Sequence, residues 1–277
     1  MAYETLDVTI KDGVAHVAMN RPEKLNAMNG TFFSEVGKAF KALDANPDVR
    51  AVVLSGNGKH FTAGLDLKES ASVLGGAEGD PARVRDKLRR HILWLQDSFN
   101  AVDNCRVPVI AAIHGACVGG GIDLIAACDM RLASEDAWFS IQEINVAIVA
   151  DLGTLQRAPY LLPLGILKEL AFTGRKMLPD EAHRLGFINH VHADKDATLE
   201  AAFSLAQEIA SKSPLAVSGT KAVLNYARDH TVADGLDYVA TWNSGMLLGE
   251  DLMKAATATL TRQTAEFAPL LASDAPA

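Results

Sequence analysis

The chain has 277 residues, 49% hydrophobic and 22% charged, the balance of a folded protein with room for one large or two ordinary domains. Its net charge of −8 argues against a nucleic-acid surface, which needs a basic patch. The three cysteines, Cys105, Cys117 and Cys128, lack CxxC spacing, so they argue against a disulfide framework or a zinc site and read as buried reduced thiols.

In chain order, Leu6, Val8 and Ile10 alternate with polar residues, Asp12-Gly13 supplies a turn, and Val14, His16, Val17 and Met19 continue, which predicts a hairpin. His16 reads as a strand-face residue, because no second metal-binding group lies near it. A polar loop from Asn20 to Asn29 follows, then a helix marked by Phe33, Val36, Phe40 and Leu43 at spacings of three and four. Ala51 to Gly56 is a buried strand, and Gly58 to Gly64 a loop leaving its end. Ser70 to Pro81, with Gly75, Gly76 and Gly79, reads as a mobile surface segment. Val84, Leu88, Ile92, Leu95, Phe99 and Val102 trace a long amphipathic helix. Its Arg83, Arg85, Lys87, Arg89 and Arg90 form a solvated face, with a phosphate contact as the second reading.

Val107 to Ile113 is a further buried strand, Ile122 to Ala127 a short buried helix ending near Cys128-Asp129, and Met130 to Ala133 another strand. Gly153 to Tyr160, Gly165 to Phe172 and Pro179 to Leu185 read as helices, and from Leu199 the chain is expected to be helical to its end, broken at Lys212-Ser213-Pro214. Strand, helix, strand in succession indicates a parallel sheet with right-handed crossovers. Tyr238, Val239, Trp242, Met246 and Leu247 make an apolar stripe that packs either within the subunit or against a neighbour.

The chain is organised around His114-Gly115-Ala116-Cys117-Val118-Gly119-Gly120-Gly121-Ile122-Asp123-Leu124. Three glycines between a buried strand and a helix let a backbone or a ligand approach closely, and the helix start directs free N–H groups outward. They are equally those of a plain tight turn; Asp123, a carboxylate one turn inside the helix, favours a cavity.

From about Leu6 to Phe267 the chain resembles the crotonase (enoyl-CoA hydratase/isomerase) superfamily, and within it the dienoyl-CoA isomerases. Arg21 to Met28 (RPEKLNAM), Phe61 to Leu67 (FTAGLDL) and the triple-glycine segment carry the likeness. Gln142 to Val146 (QEINV), Ala150 to Arg157 (ADLGTLQR) and Asp237 to Asn243 (DYVATWN) narrow it. The resemblance implies an α/β crotonase fold: a spiral β-core of repeated ββα units over residues 1–195 and a C-terminal helical trimerisation region over 196–277. It implies an acyl-CoA substrate, with no resident cofactor and no metal. It assigns the backbone N–H groups of Leu65 and Gly120 to an oxyanion hole, where each donor lowers the barrier by ~3–4 kcal/mol. Lys24, Leu25, Ala27, Ala63, Gly64, Leu65, Asp66, Leu67, Gly119 and Gly120 are expected along the CoA moiety and the substrate; a lone lysine such as Lys24 also reads as simply solvated.

Asp123, Glu143 and Asp151 are the candidate catalytic acids. Hydratases of the superfamily place glutamates at the first two positions and usually glycine at the third, so the third acid points to moving a proton between C2 and C6 of a 3,5-dienoyl-CoA. Asp151 reads alternatively as a cap for the following helix. Glu143 is assigned to C2 and Asp151 to C6, with the exchange of those roles open. Hydration and Δ3-Δ2-enoyl isomerisation remain alternatives within the family, and a non-catalytic acyl-CoA- or RNA-binding homologue outside it. Thr259-Leu260-Thr261-Arg262 stands where many members carry Phe-x-Glu-Lys-Arg, so the usual contact from the last helix is not expected. No apolar run approaches the ~20 residues of a membrane span. The early first strand leaves no leader, and Asp274-Ala275-Pro276-Ala277 is no peroxisomal address, so a cytoplasmic homotrimer or homohexamer is expected.

Overall fold

Asp12 and Gly13 sit at φ 49° and 79°, the positive-φ pair that a tight hairpin turn requires, and join strands β1 (Leu6–Lys11) and β2 (Val14–Met19) in antiparallel register. The computed structural model describes residues 3–69 and 79–272. The remaining strands are β3 (Ala51–Gly56), β4 (Val109–Ile113), β5 (Ala116–Val118), β6 (Met130–Ser134), β7 (Trp138–Ser140) and β8 (His190–His192). Six of them form one sheet in the order β1-β2-β3-β4-β6-β8, parallel from β2 onward, while β5 and β7 make a separate parallel pair.

The helices are α1 (Gly30–Ala45), α2 (Pro81–Asp103), α3 (Gly120–Ala126), α4 (Thr154–Arg157), α5 (Leu164–Thr173), α6 (Pro179–Arg184), α7 (Lys195–Ala210), α8 (Pro214–Arg228), α9 (Val232–Met246) and α10 (Glu250–Thr261). Side-chain caps set several starts: Asn29 for α1, Asp80 followed by Pro81 for α2, Asp194 for α7, and Ser213 followed by Pro214 for α8. Period-two alternation divides the central strands between two layers. Val52 and Leu54 of β3 face the main core, where Phe33, Val36 and Phe40 of α1 meet Phe99 and Val102 of α2. Ala51 and Val53 face Ala202, Ala206 and Ala210 of α7. Small alanines let α7 lie close on the sheet, so the helix that opens the C-terminal region covers one face of the β-core.

The sequence expectations differ from the structure in places that have physical causes. The strands β5, β7 and β8 are three residues each, too short to register as a hydrophobic period. Helix α3 begins at Gly120, two residues before the first apolar position. The helix expected over Gly153 to Tyr160 divides into α4 and a 3-10 turn at Ala158–Tyr160, where Pro159 cannot continue an α-helix. The C-terminal region is not helical to its end: α10 stops at Thr261, with Arg262 at φ 55°. The non-helical stretch beyond is tied to the core by Arg50, whose guanidinium donates to Phe267 O (2.5 Å) and Ala210 O (3.1 Å). Of the expected mobile segment Ser70 to Pro81, residues 70–78 lie outside the described residues.

Candidate active site

Two loops meet beside the start of α3. Asn26, 2% exposed and at φ 53°, places its amide Nδ2 against three carbonyls, Asn57 O (2.8 Å), His60 O (3.0 Å) and Phe61 O (3.1 Å), while its Oδ1 accepts from Arg21 N (2.9 Å). Thr62 Oγ1 then donates to Asn26 O (2.7 Å). Met28 N donates to Gly64 O (2.8 Å) and Asp66 N to Met28 O (2.9 Å), a parallel bridge that skips the N–H of Leu65. At Gly64 (φ +86°) an added Cβ would lie 2.7 Å from Val118 O, so only glycine lets this loop approach β5 so closely. On the other side, Gly119 N–H donates to Ser140 O (3.0 Å), and Gly120 is the first residue of α3. Among the described residues, neither Leu65 N–H nor Gly120 N–H has a hydrogen-bond acceptor. Both line the same cleft, of about 800 Å³.

Asp123, Glu143 and Asp151 also line it. The Asp123 carboxyl is 1% exposed, and its Oδ1 accepts from Thr154 N at 2.6 Å. Burial pushes this group up to about 6, against the Thr154 hydrogen bond that favours its charged form. Burial, reinforced by the neighbouring Asp123 and Asp151 charges, pushes Glu143 up to about 7. Glu143 Oε2 is buried with no hydrogen-bond partner, an uncommon state for a carboxylate oxygen unless a ligand or a proton completes it. Burial also raises Asp151 above the usual carboxylate range. Asp151 is not a helix cap: Gly153 occupies the cap position of α4, with no side-chain bond to the helix. Three weakened acids in one apolar cleft titrate as a set that holds protons near neutrality.

Leu25, Ala63, Gly64, Leu67 and Gly119 line the cleft as well; Lys24, Ala27 and Asp66 do not. Lys24 is exposed, and Asp66 receives Arg21 Nη1 at 3.4 Å. Sequence reasoning passed over a second wall. Leu88, His91, Ile92 and Leu95 of α2 line the cavity together with Phe33 of α1, as do His60 and Trp138. The apolar spacing along α2 is visible in the sequence, but a periodic stripe reads the same whether it meets a core or a cleft.

Together these features set two unpaired backbone N–H groups and three carboxyls around one cleft, an arrangement chemically able to hold an oxygen and exchange protons. The profile of the enoyl-CoA hydratase/isomerase family matches residues 9–266, and the chain belongs to that family. It is 48% identical to the peroxisomal Δ(3,5)-Δ(2,4)-dienoyl-CoA isomerase of Arabidopsis thaliana over 97% of this chain and 99% of that protein. It is 49% identical to the mitochondrial Δ(3,5)-Δ(2,4)-dienoyl-CoA isomerase of Homo sapiens, over 93% of this chain and 80% of that one. Its fold superposes on the crystal structure of a putative enoyl-CoA hydratase from Streptomyces coelicolor with a TM-score of 0.87, at 30% identity, covering 96% of this chain and 94% of the other.

Proposed function

We propose that this protein is an isomerase converting 3,5-dienoyl-CoA to 2,4-dienoyl-CoA. The observation that carries the reading is the third carboxyl, Asp151, lining the same cleft as Asp123, Glu143 and the two free amides. In this mechanism the thioester oxygen accepts hydrogen bonds from Leu65 N–H and Gly120 N–H. Glu143 removes a proton from C2, the negative charge spreads through the conjugated chain onto that oxygen, and protonated Asp151 returns a proton at C6. Asp123, fixed by Thr154 N–H, adds its charge to the burial that keeps Glu143 weakly acidic. The CoA thioester is the substrate itself, so the scheme calls for no resident cofactor. Activity needs one proton shared between Glu143 and Asp151. As pH rises through about 7 the pair loses that proton, and kcat/KM falls for want of an acid at C6. At low pH both groups are protonated, no base remains, and the profile is a bell.

Hydration is disfavoured, because Asp123 and Glu143 do not form the glutamate pair that holds a water in the hydratases. Two substrates separate these readings. Incubation with 3,5-octadienoyl-CoA should give the conjugated 2,4-diene, while crotonyl-CoA is hydrated slowly. Hydration outrunning diene formation under matched conditions overturns the isomerase reading. Among the described residues no helix is long and apolar enough to cross a membrane, and the cytoplasmic location expected from the sequence is carried here as part of the proposal.

A further inference from the structure

Arg157 closes the Asp151-to-Arg157 stretch, yet the mechanism above gives it no task. Its surroundings are unusual for a residue on a four-residue helix. The guanidinium and the Asp103 carboxyl are 13% and 11% exposed, with Nε 3.0 Å from Asp103 Oδ2. Nη2 donates to Asn100 Oδ1 at 2.6 Å. Both partners belong to α2, which makes a third contact with the same turn through Gln96 Nε2 and Asp151 O (2.6 Å). The guanidinium lies directly across Gly153 (φ +132°), where an added Cβ would fall 2.0 Å from Nη1. From the other side, Arg228 Nη1 of α8 holds both oxygens of Asp103 at 3.1 Å. The turn 151–154 is thereby clamped between α2 and the guanidinium. Its two ends are the parts that matter to the cleft: the Asp151 carboxyl and the Thr154 N–H bonded to Asp123.

We propose that Arg157 is a positioning residue for the acid set: held by Asp103 and Asn100 and packed across Gly153, it fixes the turn that presents Asp151 to the cleft and Thr154 N–H to Asp123. A planar fork with two anchored nitrogens suits this task in a way that a lysine point charge does not. The charged groups facing the guanidinium are Asp103 from α2 and, at longer range, Asp123 from α3, with Arg228 sharing Asp103 from α8. Its charge favours ionised Asp123, so its removal lets Asp123 hold its proton to higher pH and weakens the charge by which Asp123 holds the proton on Glu143.

This inference rests on the isomerase reading, and the test keeps the two separable. Wild-type turnover of 3,5-octadienoyl-CoA is measured first. In Arg157→Met, kcat should fall by about tenfold or more while KM changes much less, since the acids and not the binding walls lose their aim. The alkaline limb of the pH profile should move downward, because a more neutral Asp123 releases the Glu143 proton earlier, a change that mere loss of packing does not produce. Arg157→Lys should bring the limb back towards wild type while recovering only part of kcat. Breaking a buried ion pair can unfold a protein, so Asn100→Ala, which leaves the Arg157–Asp103 pair intact, serves as the milder variant and should lower kcat several-fold. A folded Arg157→Met enzyme with wild-type kcat and an unmoved limb overturns the inference, as does unchanged kcat in Asn100→Ala if Arg157→Met does not fold. If the wild type itself does not isomerise the diene, the functional reading fails, and a crystal structure of Arg157→Met decides the positioning role. Loss of the 2.6 Å contact between Thr154 N and Asp123 supports it, and its retention with Asp151 still facing the cleft refutes it.

Discussion

A carboxylate oxygen buried without a donor, as Glu143 Oε2 is, is expensive to keep ionised, and the group answers by holding its proton up to about pH 7. That makes Glu143 a base strong enough to work on an acidified C–H and still able to ionise near neutrality. Asp151 differs in kind: it is half-buried, and its backbone carbonyl is engaged by Gln96. Substitution separates the two. Asp151→Asn keeps size and most hydrogen bonding but cannot exchange a proton, so conversion to the 2,4-diene should fall by ~10²-fold or more. Exchange of the C2 proton with D₂O should survive, because Glu143 and both amide donors remain. Glu143→Gln should abolish exchange and isomerisation together. Proton NMR of each variant with a 3,5-dienoyl-CoA in D₂O reads both quantities. C2 exchange that vanishes in Asp151→Asn but persists in Glu143→Gln reverses the two roles, and a fully active Asp151→Asn removes the main support for the isomerase mechanism.

The amide donors depend on loops rather than on long elements, and Asn26 is the pin between those loops. Asn26→Ala strips the donor from three carbonyls at once and frees Arg21 N. Leaving buried acceptors unpaired costs ~1–3 kcal/mol each where water cannot reach them. We therefore expect a lower denaturation midpoint, and a kcat that falls more than KM changes, since Leu65 N–H loses its aim through Thr62 and Gly64. Unaltered kcat in a destabilised Asn26→Ala protein would separate the pin from the donor. By residue pattern this loop reads only as a polar stretch between a strand and a helix, and the likeness of Arg21 to Met28 alone marks it as part of a site, because the three carbonyls held by the Asn26 amide lie 31 to 35 residues away. The long elements α1, α2 and β1 to β4 were legible, since their apolar periods are set by the core they face. The cleft wall on α2 was not. Leu88 is 40% exposed, while Phe99 on the same helix is wholly buried, and spacing alone does not tell the two apart.

At the scale of the molecule, the C-terminal helices carry more apolar surface than one chain buries. Part of the stripe read from the sequence packs internally. Tyr238 stacks on Tyr226 with ring centroids 4.1 Å apart, and Trp242 lies against Gly219 of α8. The rest is left outside: Met246 and Leu247 are about half exposed, Leu236 is 64%, Leu248 92%, Met253 67% and Leu260 86% exposed. Of all the residues in α9 and α10, only Gly235 is buried. Helices of 15 and 12 residues are marginal in water without tertiary packing, and an apolar face of this extent marks a protein interface. By the family resemblance, neighbouring copies of this chain are expected to cover it, so light scattering at micromolar concentration should report three or six times the 29.5 kDa of one chain. Leu248→Lys, a change at a residue the subunit itself does not bury, should shift that mass towards the monomer and lower the thermal midpoint. A wild-type chain that stays monomeric and keeps full helicity at that concentration would show that α9 and α10 need no partner.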